Sequence, residues 1–198
     1  LLGRLINLKD NRKGLLQYLK NKLKEMSSMH DKSIAGVITD RINAEILGAR
    51  QQLHDTVEGV FEDIFNAVSN YVIDKGSQKK ESREEETKLR ITANLISTDL
   101  WQGVIEPQIK VLCVDIHKFT SILKALLDDI GGLSKAAQDI LSSVLVDIVS
   151  CKMRLTLVAN DLASFIAEDE RTCKWMEIKR HSRGQGIRLC NAPLSISD

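Results

Sequence analysis

Residues 109–165 read IKVLCVDIHKFTSILKALLDDIGGLSKAAQDILSSVLVDIVSCKMRLTLVANDLASF, and this stretch decides the fold. Ile109, Leu112, Ile116, Phe119, Leu123, Leu126 and Ile130 recur at alternating steps of three and four, the heptad seam of an amphipathic helix. Gly131-Gly132 ends the run, and Ser134 is placed to cap a second helix. The second seam is Ala137, Leu141, Val144, Ile148, Cys151, Leu155, Val158, Leu162 and Phe165. Two seams joined by a two-glycine turn predict an antiparallel helical hairpin.

Upstream, the stripe Ile34, Ile38, Ile42, Ile46, Ala49, Leu53, Val57, Val60, Ile64, Val68, Tyr71 also steps by three and four, without a proline. A helix over 32–75 would be about 60 Å long, which favours an elongated bundle. Gly36, Gly48 and Gly59 lie within it and suggest a bend or a close helix contact. Before it, Leu15, Leu16, Leu19, Leu23 and Met26 mark a first helix within 1–26, interrupted near Asp10, Asn11 and Gly14. Asp31 reads as the N-cap that follows. Residues 76–88 are nearly all polar and read as a solvated loop running into a third helix over 87–130, kinked at Pro107. The expectation is an all-α, elongated up-and-down four-helix bundle over 1–170. Its fourth helix spans 134–168, and a disulfide-linked basic tail, 171–198, packs on it.

Composition agrees with helices. Only 2 Pro and 11 Gly occur in 198 residues, and aromatics are 4%, too few for the turns and aromatic pairs of an all-β fold. No apolar run reaches the roughly 18 residues of a spanning helix, so no transmembrane segment is expected. The chain opens on Leu1 rather than Met, as a removed signal peptide or a trimmed boundary would leave it.

The four cysteines are Cys113, Cys151, Cys173 and Cys190, with no C-x-x-C pattern. The midpoint of Cys113 and Cys151 falls in the Gly131-Gly132 turn, so an antiparallel hairpin sets them at one height. Cys173 and Cys190 would then close the tail. An even count with matched register favours disulfides and an extracellular, oxidising setting. The alternative is that Cys113 and Cys151 are reduced core residues.

No catalytic constellation is present: no nucleophile elbow, phosphate-binding loop or dinucleotide glycine pattern. Cys113 and His117 have metal-ligand spacing, with Cys151 as a third, but no fourth ligand presents itself. The reading is a non-enzyme without metal or cofactor.

Charge is segregated beneath a net of +1. Residues 1–30 and 171–198 carry net +5 and +4, whereas 31–86 and 87–170 carry −5 and −3. Within the basic tail, Lys174, Trp175, Lys179, Arg180 and Arg183 are the candidate partner-binding residues. The plainer reading is a basic tail laid against an acidic bundle, with Trp175 capping its end. Partners are expected to be a protein or an anionic surface, with nucleic acid disfavoured for want of interleaved aromatics. Three functions fit: a secreted helical protein that binds a macromolecular partner, a carrier of a lipid or other apolar ligand in the bundle core, or an intracellular scaffold subunit. The first is preferred.

Overall fold

The computed structural model describes residues 14–26, 28–74, 85–181 and 184–194. The chain is mostly helical, with one small sheet. Helix α1 is Leu15–Lys24, α2 Met29–Arg41, α3 Leu47–Asp74, and strand β1 Glu85–Arg90. Then come a single turn, α4 (Ala93–Ile96), and the long helices α5 (Glu106–Gly131) and α6 (Lys135–Ile166). Strands β2 (Thr172–His181) and β3 (Gly184–Pro193) close the described chain. Wider π turns at Ile42–Ile46 and Leu100–Ile105 lead into α3 and α5.

The all-α expectation is therefore corrected in two places. The basic tail is a β-hairpin, and the start of the expected third helix is strand β1. Met176 and Ile178, and Ile187 and Leu189 opposite them, alternate with polar neighbours at a period of two, which suits a half-buried strand. Thr87 and Leu89 do the same in β1. Thr92 then caps α4, its Oγ1 accepting from the Leu95 N–H. Pro107 has no N–H to continue the ladder, and just ahead of it the Glu106 N–H reaches the carbonyl of Trp101, five residues back.

The contacts divide the chain into two compact units, Leu1–Asp55 with Val114–Ala159, and Thr56–Cys113 with Asn160–Asp198. In the first unit, Leu16, Leu19, Leu23, Ile38, Ile42, Ile46 and Leu53 are buried, as are Ile116, Phe119, Leu123, Leu126, Ile130, Leu141, Val144 and Ile148. The hairpin seam is as expected except at its far end, where Ala159 is buried and Val158 is 41% exposed. Ser134 caps α6, its Oγ accepting from the Ala137 N–H at 3.3 Å.

Asp31 is not an N-cap. Ser28 holds that position on α2, accepting from the Asp31 N–H, and the Asp31 carboxylate turns to the α5–α6 connection. It accepts from the Ser134 N–H and from the Ser134 hydroxyl, both at 2.8 Å. Arg41 Nε donates to Asp129 Oδ2 at 2.5 Å. Together these bonds fix the start and end of α2 to the two-glycine turn. A Cβ built at Gly36, Gly48 or Gly59 meets nothing within 4 Å, so these glycines serve no close helix contact.

In the second unit, Val60, Ile64, Val68, Ile105, Ile109 and Leu112 line the core with Leu162 and Phe165. The Trp101 and Phe165 rings pack at 6.3 Å between centroids. Gln108 Nε2 donates to Asp63 Oδ2 at 3.0 Å, setting α5 against α3. No described helix is long and apolar enough to cross a membrane.

A cationic face on the sheet

The sheet is antiparallel, in the order β1-β2-β3, with β2 in the centre. Successive residues of a strand point to opposite faces, so register sorts every side chain. One face carries Lys174, Met176 and Ile178 of β2, all buried, with Leu89 and Thr87 on one side and Leu189 and Ile187 on the other. This is the inward face. The other carries Trp175, Glu177 and Lys179, flanked by Arg90 and Lys88 of β1 and by Cys190 and Arg188 of β3.

Lys174 is thus a correction to the sequence reading. Its Nζ donates to the carbonyls of Ser164, at 2.8 Å, and of Ala167, at the end of α6. Those carbonyls have no acceptor role left within the helix, and a cation there also meets the negative end of the helix dipole. Lys174 is a buried cap on the end of α6. Trp175 and Lys179 lie on the outward face. Arg180 pairs in register with Glu85 and Gln185, its side chain outside the described ones, and Arg183 lies outside the described residues.

Glu177 organises the outward face. It is buried beneath its neighbours, accepting from Trp175 Nε1 at 3.0 Å and pairing with Lys88 at 3.2 Å and Arg188 at 3.6 Å. The indole bond, then Lys88, holds its carboxyl below the usual carboxylate range, against the opposing effect of burial. Lys88 and Arg188 lean over this acid yet keep side chains 62% and 71% exposed. With Arg90 exposed and Lys179 half-buried, this face presents four cations beside Glu177, and Glu86 holds the register position opposite Lys179. Sequence reasoning missed Lys88, Arg90, Glu177 and Arg188 as site residues. The alternation Thr87, Lys88, Leu89, Arg90 was the available signal, and the adjoining charge run obscured it.

The structure forms no disulfide among the four cysteines, so neither expected pair is confirmed. Cys173 lies opposite Ala192, and Cys190 opposite Trp175, so the two thiols are diagonal neighbours on one face. Diagonal positions are about 7–8 Å apart, at or beyond the reach of a disulfide. Cys151 occupies the seam of α6 and is buried. Cys113 is one residue round from the seam residue Leu112 and half-buried. Burial pushes the Cys113 thiol up, and burial followed by Glu177 does the same to Cys190.

Among the described residues, no group of three or more His, Cys, Asp and Glu is placed to hold a metal. No protein-family model, curated protein or solved structure matches the chain.

Proposed function

We propose that this chain is a non-enzymatic binding protein that engages an anionic macromolecular partner through the outward face of its sheet. One observation carries the reading: β1, β2 and β3 bring Lys88, Arg90, Lys179 and Arg188 to the face of Trp175, where they outnumber the acids Glu177 and Glu86, the latter in register with Lys179. An indole fixed by its own hydrogen bond and ringed by cations offers a rigid amphipathic contact with little entropy to lose. The surplus positive charge supplies attraction at a distance. The reading does not depend on compartment, and the cysteines, which form no disulfide in the structure, add no support for an extracellular setting.

The test measures binding of three defined probes: heparin, a poly-glutamate peptide and vesicles containing phosphatidylserine. Wild type is expected to bind one of them, and that probe names the class of partner. The double variant Arg90→Ala/Arg188→Ala should lose roughly tenfold in affinity, about 1.4 kcal/mol. Lys174→Met is the control. It removes the cap on α6 at a cost of about 2 kcal/mol in stability, yet leaves binding unchanged. If no probe binds, or the double variant binds as wild type does, the sheet face is not the site.

A further inference from the structure

The π turn Ile42–Ile46 alters which residue of α3 faces inward. At ordinary α spacing, the buried series Ile38, Ile42, Ile46 continues to Ala49. The wider turn, in which the Leu47 N–H reaches the carbonyl of Ile42, takes up one extra residue. Arg50 is delivered to the core instead, in line with Leu53. Arg50 is 4% exposed, whereas Ala49 is only half-buried.

Its guanidinium is incompletely satisfied. Nη1 donates to Gln51 Oε1 at 3.1 Å, while Nε and Nη2 are both buried and meet no acceptor. The orphaned pair is the informative one. Nε and Nη2 share one edge of the guanidinium plane and project parallel N–H bonds, the edge that grips both oxygens of a carboxylate. A buried cation with open donors is costly unless an anion meets it. Burial pulls the guanidinium downward from its ordinary value, and Asp55 opposes that only in part.

We infer that Arg50 anchors the carboxylate of a monocarboxylic ligand with an apolar body, within the unit formed by Leu1–Asp55 and Val114–Ala159. The fork selects a carboxylate, and one guanidinium neutralises one negative charge. Ile46 and Leu53, buried on the same helix face, favour an apolar remainder. A phosphate ester or dicarboxylate would strand a second charge there. The open donors have no contact with solvent, so the ligand enters by displacing a covering side chain. This site is independent of the sheet face.

The test is thermal unfolding of the full chain with acetate, octanoate or laurate, against sodium chloride at matched ionic strength. Wild type is expected to be stabilised by the carboxylates, with apparent affinity rising roughly tenfold or more from acetate to octanoate, since each buried methylene contributes. Arg50→Met should abolish the shift while melting no lower than wild type, because an apolar residue replaces an unpaired buried charge. Arg50→Lys keeps the charge without the fork and should retain only part of the response. Methyl octanoate, which carries the tail without the charge, should give none. Equal binding of acetate and octanoate would keep the anchor and show that a bare carboxylate, such as an acidic side chain presents, is what it takes. Absence of any carboxylate-specific shift in wild type, or the same shift in Arg50→Met or with methyl octanoate, overturns the inference.

Discussion

Asp31 and Ser134 stand 103 residues apart in sequence, yet one carboxylate accepts from both the backbone and the hydroxyl of the same serine. Those two bonds, the backbone one first, hold the Asp31 carboxyl below its ordinary value, with desolvation opposing them. The sign follows from linkage. The unfolded chain binds more protons than the folded one between the lowered value and the ordinary value of about 3.9, so this contribution to stability rises with pH across that window. It is fully present above the window and is lost as pH falls through the folded value. Asp31→Asn should therefore lower the urea midpoint at pH 7, with the gap to wild type closing below about pH 4. A gap of constant size from pH 7 to pH 3 would mean that the charge on Asp31 contributes nothing. The same residue shows where sequence reading slips. Asp31 lies beside a helix start and looks like a cap, but Ser28 is the cap of α2 and Asp31 serves the start of another helix.

At the scale of elements, legibility tracked length. The seams of α5 and α6 repeat over seven or more positions, so Ile109 to Ile130 and Ala137 to Leu155 could be assigned to the core from spacing alone. Strand β2 offers only Met176 and Ile178 as inward apolar residues, among Lys174, Glu177 and Lys179, and so it read as a charge cluster. Strand β1 completes the sheet from more than eighty residues away, and pairing at that separation leaves no local mark. Of this face Trp175 and one cation, Lys179, were accordingly visible, whereas Lys88, Arg90 and Arg188 were not. The π turns were invisible for a different reason: a single extra residue in a helix looks like an ordinary step of four. The glycines of α3 invite a direct test. Gly48 and Gly59 are exposed, helical and open around the Cβ position. Gly48→Ala and Gly59→Ala should each stabilise by about 0.5–1 kcal/mol through helix propensity and reduced freedom of the unfolded chain, and their effects should add. Chemical denaturation of the two single variants and the double variant measures this. Destabilisation by either would point to a contact that the open surroundings do not show.

For the whole molecule, the informative quantity is where the charge sits, since the net of +1 conceals it. The helical cores are mostly apolar, Arg50 apart, and salt at ordinary concentrations barely affects buried apolar contacts. Counting Glu86, in register with Lys179, together with Glu177, the sheet face carries a surplus of two positive charges, and two of the cations, Lys88 and Arg188, are more than half exposed. Exposed charges are screened over about 10 Å at 0.1 M salt. Binding and folding should therefore separate cleanly as salt is raised. For a linear polyanion such as heparin, two compensated charges give a slope of log affinity against log salt of about −1.8, a loss of roughly tenfold between about 50 and 200 mM. The urea midpoint should hardly move over that range. Arg188→Ala removes one cation and should make the slope shallower by about one, an effect distinct from a loss of packing, which would lower affinity at every salt concentration alike. Titrations of wild type and Arg188→Ala at four salt concentrations decide it. Affinity independent of salt would mean that the partner is held by apolar contact around Trp175, and that the cations serve Glu177 rather than a ligand.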